Sequence, residues 1–264
     1  MIHKTAIIDN KAIIGKNVEI GAYSMVGPNV QINENTTIHS HVSISGNTII
    51  GKNNKIYPFS SIGNDPQDLK FNGEETKLVI GDNNKIREYV SINPGTKGGR
   101  RETTIGNNCL LMVSSHVAHD CVLENNIVLA NNVAIAGHAQ IANDVIIGGN
   151  SAVQQFTRIG KMAMIGGMTG VEKDVIPYSL SAGNRNQLLG LNLVGLRRKK
   201  ISNKVILLLS EAYKEIFKTQ QLTENLNNLN SAYKDNSLIN DIIEFINKEK
   251  KRPICTPLLK NENN

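Results

Sequence analysis

Of six histidines, three stand in two short polar segments, Ser114–Cys121 and Ala136–Gln140: His116, His119 and His138. Asp120 directly follows His119. An imidazole beside a carboxylate suits general acid–base work, because an unperturbed imidazole titrates near neutrality, at roughly 6.5. Other chemistry is open to the same residues. Ser114 and Ser115 lie close to His119, but no nucleophile elbow surrounds them. Cys121 is two residues from His119, where a thiol nucleophile is conceivable and packing is the competing role. His3, His39 and His41 have no polar company and read as surface or corner residues.

What positions these side chains is a repeat. Aliphatic residues recur every six positions from Ile2 through Ile8, Ile14, Ile20, Val26 and onward to Ile62. The series resumes at Ile80, Ile86 and Ile92, slips, and runs again from Ile105 to Val171. Glycine often follows the aliphatic residue, as at Gly15, Gly21, Gly51 and Gly148. Glycine and asparagine suit tight corners, since they tolerate backbone angles that other residues avoid. A period of six matches neither an amphipathic helix nor a long alternating strand, but it does match a hexapeptide parallel β-helix. Three hexads make one triangular coil, so residues eighteen apart stack, with coils about 4.8 Å apart.

Stacking brings the two polar segments together. One column reads His119, Gly137, Gln155, and its neighbour Asp120, His138, Phe156. Two imidazoles, a carboxylate and an exposed glycine amide converge on one edge, a constellation fit for a general base with an oxyanion site.

Two segments interrupt the hexads: residues 64–79, with Pro66 and Gly73, and 93–104, rich in glycine and basic residues. Both read as external loops, and long loops in a compact fold are commonly functional. The expected β-helix occupies 1–185. From Asn186 to 264, aliphatics recur at helical spacing, as at Val205, Leu208, Leu209, Ala212 and Ile216, which predicts an α-helical domain with Ser202 as an N-cap and further helices over 222–233 and 238–248. The tail beyond is basic, then polar, and is expected to fray.

Composition narrows the class. Aromatics are 4% with no tryptophan, as a core of aliphatic layers requires. A net charge of +6 favours an acidic partner, yet lysines and arginines do not interleave with aromatics, which argues against nucleic acid. No apolar run could span a bilayer. Three cysteines without framework spacing indicate a reducing compartment, so the expected location is cytoplasmic. Zinc bound by His116, His119 and His138 is an alternative. Against it, Asp120 offers an imidazole a hydrogen-bond partner, and the loops suit a larger substrate.

The segments IGNDPQDLKFNGE, LLMVSSHVAHDC, LANNVAIAGH, IIGGNSAVQQF and LNLVGLRRK resemble the UDP-N-acetylglucosamine O-acyltransferases, which catalyse the first step of lipid A synthesis. The resemblance covers nearly the whole chain. It implies a left-handed coil, an exception to the usual crossover hand, and a homotrimer with sites between subunits. It also implies transfer of a 3-hydroxyacyl group from acyl carrier protein to the sugar 3-hydroxyl, with no cofactor or covalent intermediate. His119 would be the base, Asp120 would orient it, and Gly137 would hold the oxyanion. Asp68 and Lys70 match sugar-nucleotide contacts and would reach a neighbour's His119. His116, His138 and Gln155 match residues lining the sugar and acyl carrier. Asn192, Arg198 and Lys199 match uridine and phosphate contacts, and Gly167 matches a ruler for the acyl tail. Asn93 and Gln154 stand where relatives often carry histidine, and Val194 where glutamate is frequent. Alternatives are N-acylation of a 3-amino sugar, the sister N-acyltransferase, an acetyl-CoA-dependent sugar acetyltransferase, and a structural or ice-binding solenoid. The sister enzyme usually adds an N-terminal uridine-binding domain, for which hexads starting at Ile2 leave no room. An ice-binding face expects threonine columns instead of His, Asp and Gln.

Overall fold

The computed structural model describes residues 1–258. Short strands stack into three sheets, each strand pairing in parallel with the strand one coil away. Face 1 runs from Ile7–Ile8 to Gly170–Val171, face 2 from Ile13–Ile14 to Arg158–Ile159, and face 3 from Glu19–Ile20 through Met164–Ile165. From Ile20 onward the period-six aliphatics point inward and are sealed from solvent, as at Ile32, Ile50, Ile56, Ile62 and Leu111. Each coil pairs them with their counterparts, Ile44 with Ile62 and Val117 with Ile135. The interior is therefore a set of aliphatic layers, and burial of these side chains drives the coil to close.

Corners correct one expectation. The left-handed backbone positions are held mostly by asparagine and other side chains, for example Asn17, Asn35 and Asn53 with φ of 59°, 58° and 57°. The glycines after the aliphatic residues serve close approach. A Cβ on Gly21 would sit 2.6 Å from the Ser40 nitrogen, and one on Gly148 2.4 Å from the Gly167 nitrogen. Coils a strand spacing apart leave no room for a methyl group there.

Strands Lys77–Ile80 and Glu102–Ile105 belong to face 2, so the two excursions from the coil cover 63–76 and 93–101. Both leave from the corner between faces 1 and 2. They stretch the stacking offset, so that Ser61 pairs with Ser91 and Ser91 with His116.

Past the last coil, Ser179–Ala182 and Gln187–Leu191 form an antiparallel hairpin extending face 3, where helical spacing was expected from Asn186. Helices follow: α1 (Leu193–Arg198), α2 (Asn203–Ile216), α3 (Leu222–Asn227) and α4 (Ser237–Asn247). Ser202 caps α2, accepting from the Val205 N–H, and Ile206, Leu209, Ala212 and Ile216 are its buried stripe. The helix expected over 222–233 breaks after Asn227. Asn230 instead caps a 3₁₀ turn, Ser231–Asp235, because its side chain competes well for a free backbone N–H. Nor does the tail fray where it is described. Asp174 exchanges backbone hydrogen bonds with Pro253 and Cys255, both at 2.8 Å, and Cys255 is fully buried. The remainder of the tail, 259–264, lies outside the described residues.

Candidate active site

The corner between faces 1 and 2 carries the polar column. His119 and Asp120 follow strand His116–Val117, Gly137 and His138 follow Ala134–Ile135, and Gln155 and Phe156 follow Ala152–Val153. Asp120, His138 and Phe156 take left-handed backbone conformations, with φ of 60°, 63° and 66°. That turns each chain sharply and stacks the three side chains. The two loops emerge from this same corner in the preceding coils and fold over it.

Asp120 has no exposed side-chain surface. Its Oδ1 accepts from the Arg100 N–H at 2.7 Å and the Thr96 N–H at 3.1 Å. Its Oδ2 accepts from the Thr96 hydroxyl at 2.7 Å and lies 2.8 Å from His119 Nδ1. Burial alone would raise this carboxyl, but hydrogen bonds from His119, Thr96 and Arg100 outweigh it and bring the value to about 2. Asp120 is thus an anion at any ordinary pH. Because a carboxylate only accepts, the neutral His119 ring must carry its proton on Nδ1, which leaves Nε2 as a base.

Gly137 sits under that ring. A Cβ there would be 2.7 Å from both Nε2 and Cε1 of His119. The residue is buried, whereas an exposed amide was expected, and its N–H donates to no backbone group among the described residues. His138 meets His119 edge-on at 5.0 Å and stacks on Phe156 at 4.4 Å. Burial lowers the His138 pKa, and His119 and Lys251 add to this, while Asp120 and Asp68 oppose it. His116 is lowered likewise, by burial first. Its Nδ1 lies 2.7 Å from the Ser91 hydroxyl.

Asp68 lies in the first loop, which leaves the coil from this same corner, and its charge acts on His138. Lys70 is exposed in the same loop, and its backbone N–H bonds Asp68 Oδ1 at 3.0 Å. Gln155 is exposed, and its carbonyl accepts from Arg252 Nε at 2.9 Å.

The structure does not bring the remaining candidates to this corner. Asn192, Arg198 and Lys199 border a groove of about 760 Å³ on face 3, floored by Val128, Ile146, Met164 and Leu180. Face 3 lies across the prism from the corner of His119. Asn192 caps α1 by accepting from the Gly195 N–H and also donates to the Met162 carbonyl. Lys199 pairs with Asp144 at 2.7 Å, and Arg198 is exposed. Gly167 occupies the third corner, where a Cβ would approach Gly149 O at 3.3 Å and otherwise face open space.

Two alternatives lose support. Cys121 is sealed in the core, and burial pushes its thiol up to about 12, so no thiolate is available. Ser115 is fully buried as well. Ligand atoms of His119, Asp120 and His138 come within 4.8 Å of one another, a set that leaves out His116. The Asp120 oxygens are already occupied by donors, so they have little capacity left for a cation.

Several participants carried no sequence signal that stacking could use. Thr96 and Arg100 reach Asp120 through loop geometry, and Lys251 stands over the Phe156 ring at 4.4 Å from beyond α4. Gly99 was the visible hint of a close approach. A Cβ on Gly99 would lie 2.2 Å from the Asp120 carboxyl carbon.

Comparisons with known proteins agree with this architecture. Residues 174–255 match the family model described as UDP-N-acetylglucosamine O-acyltransferase, domain 2, and residues 11–46 match the bacterial transferase hexapeptide model. The acyl-[acyl-carrier-protein]--UDP-N-acetylglucosamine O-acyltransferase of Rickettsia canadensis is 49% identical over 255 residues, covering 96% of this chain and 97% of that protein. Its counterpart from Aliarcobacter butzleri is 49% identical over 216 residues, 82% of this chain and 83% of the relative. Among solved structures, UDP-N-acetylglucosamine O-acyltransferase from Moraxella catarrhalis superposes with a TM-score of 0.92 at 47% identity, covering 96% of this chain and 98% of that one. The Arabidopsis enzyme gives 0.87 at 32% identity, with 97% and 100% covered.

Proposed function

The chain belongs to the acyl-[acyl-carrier-protein]--UDP-N-acetylglucosamine O-acyltransferase family, and from this we propose that it moves a 3-hydroxyacyl group from acyl carrier protein to the 3-hydroxyl of UDP-N-acetylglucosamine, the first step of lipid A biosynthesis in the cytoplasm. The observation that carries the reading is the His119–Asp120 contact of 2.8 Å, which leaves Nε2 free beside Gly137. His119 takes the proton of the sugar hydroxyl as that oxygen attacks the thioester carbonyl. Asp120 stabilises the imidazolium that forms, and the Gly137 amide takes the developing oxyanion. Collapse of the tetrahedral intermediate expels the carrier thiolate, which recovers the proton from His119. No acyl-enzyme is needed. His116, His138, Gln155, Asp68 and Lys70 line the sugar and the acyl donor. Among the described residues no helix is long and apolar enough to cross a membrane. Mass spectrometry of the product from UDP-N-acetylglucosamine and a panel of acyl carriers tests the reading. An ester at the sugar oxygen supports it. Reaction only with a 3-amino sugar, giving an amide, would replace it with the N-acyl alternative.

The working form in this reading is a homotrimer. His119 stands at one vertex of the prism, while Asn192, Arg198 and Lys199 border the opposite face. A nucleotide held by the second group can present its sugar to His119 only between adjacent chains, in a closed rotational arrangement. Mixing inactive His119→Ala chains with inactive Arg198→Ala chains is therefore expected to restore part of the activity. Verified mixed oligomers without rescue would place the whole site in one chain.

Gly167 is assigned the ruler. Its side-chain direction is open, so a long acyl tail can pass. Each buried CH₂ contributes about 0.8 kcal/mol, so two further carbons favour the longer donor by roughly 1.6 kcal/mol, or about 15-fold. Gly167→Met is expected to shift preference to shorter donors in a competition between two chain lengths. An unchanged ratio in a folded variant would sink the assignment.

A further inference from the structure

The loop over 93–101 is tied to Asp120 at more points than a solvent-side excursion needs, and Thr96 is the hub of those ties. Its N–H and hydroxyl both donate to Asp120, and its carbonyl accepts from the Gly99 N–H at 3.1 Å and the Arg101 N–H at 3.2 Å. That turn presents the Arg100 N–H to Oδ1 at 2.7 Å. Gly99 permits it, since any Cβ there would strike the carboxylate. Thr96 is itself 3% exposed, so its hydroxyl has no water to compete for the bond.

The decisive feature is which oxygen the hydroxyl takes. Asp120 Oδ2 receives both the Thr96 hydroxyl, at 2.7 Å, and His119 Nδ1, at 2.8 Å. The Thr96 N–H adds a longer bond to the same oxygen at 3.2 Å, and the two short donors take the larger share of its negative charge. The Thr96 hydroxyl therefore weakens Asp120 as a proton acceptor without removing it as a hydrogen-bond acceptor. We propose that Thr96 is a positioning residue for the transfer: through Oδ2 it fixes the orientation of Asp120 and keeps the shared proton on His119 Nδ1. This rests on His119 being the base.

Thr96→Val keeps the shape and deletes the donor, and Thr96→Ser keeps the donor and deletes a methyl group. Without the hydroxyl, Asp120 becomes more basic, and an imidazolium facing it releases its proton less readily. The acid limb of kcat/KM should then move to higher pH by a few tenths of a unit. The other groups facing this pair are unaltered: His138 on the same corner, His116 on face 1, Asp68 in the first loop, and Lys251 beyond Phe156. In Thr96→Val, kcat should fall on the order of tenfold. KM for the acyl carrier and calorimetric affinity for UDP-N-acetylglucosamine should stay within about twofold, well under 1 kcal/mol by the tenfold-per-1.4 relation. Thr96→Ser should restore both rate and limb. Thr96→Ala serves the same comparison if valine lowers the melting temperature. A folded Val or Ala variant with near-normal kcat overturns the proposal. So does a slow variant whose limb stays in place and which serine fails to rescue, since that pattern belongs to a merely structural role. If instead His119→Ala retains turnover, the base assignment fails, and the Thr96 result is read as structural.

Discussion

Replacing His119 with alanine is expected to lower turnover by on the order of 10² to 10⁴ while the coil stays folded. The size follows from the loss of the proposed base, whose Nδ1 is tied to Asp120 and whose Nε2 stands free beside Gly137. The tolerance of the fold follows from the surroundings. His119 is at a corner with 15% of its side chain exposed, outside the aliphatic layers. Asp120 would lose one donor but keep Thr96 and Arg100, so no buried charge is orphaned. Steady-state rates with UDP-N-acetylglucosamine and a 3-hydroxyacyl carrier, beside thermal melting of both proteins, measure the two halves. A variant with near-normal turnover would remove His119 from the mechanism.

The second large effect is expected from a single methyl group. Gly137→Ala should cost on the order of 10² to 10³ in kcat. The new Cβ would stand 2.7 Å from His119 Nε2 and Cε1 and 3.2 Å from Nδ1, inside van der Waals contact along the whole ring edge. The ring has little freedom to yield, since Nδ1 is tied to Asp120 and His138 abuts it at 5.0 Å. Rotating the ring away breaks its contact with Asp120, on which its proposed role as base depends, and keeping it in place displaces the glycine amide. One substitution thus damages both functions. Gly149→Ala is the control: it adds the same methyl group to another corner, where the nearest atom, Asn131 O, is 3.3 Å away, and should change kcat less than severalfold. Retention of more than a tenth of the activity by a folded Gly137→Ala enzyme would contradict this packing.

The juxtaposition behind both expectations was legible in the sequence, for a simple reason. In a coil of three hexads, contact is a matter of counting, so His119, Gly137 and Gln155 fall in one column wherever no residue is inserted. The pairing of Val117 with Ile135 and of Ile135 with Val153 obeys that count. The inward aliphatics were legible in the same way, because the aliphatic residue of each hexad returns to the core in every coil.

Counting failed where the chain leaves the coil. The two loops change the offset between coils, so no arithmetic could say that Thr96 and Arg100 close over Asp120. The role of the hexad glycines was misjudged because composition cannot separate backbone freedom from close approach. Gly148 lies against Gly167 for lack of space, while the left-handed turn falls two residues later, on Asn150.

The chain past the coil carries no repeat to align it, so its docking depended on individual contacts. Lys251 meets Phe156, Arg252 meets Gln155, and Cys255 is buried beyond Asp174. A basic tail looks solvated in sequence, since its charges give no sign of the aromatic face or the free carbonyl that awaits them. The same limit separated Asn192, Arg198 and Lys199 from His119. Sequence by itself determined the β-helix and the membership of its polar column, because a strict local period dictates both. Only the tertiary structure decided which groups hold Asp120 as an anion and which lie across the prism from His119. Those depend on where inserted and appended segments fold back, and that is set by packing between parts of the chain with no common period.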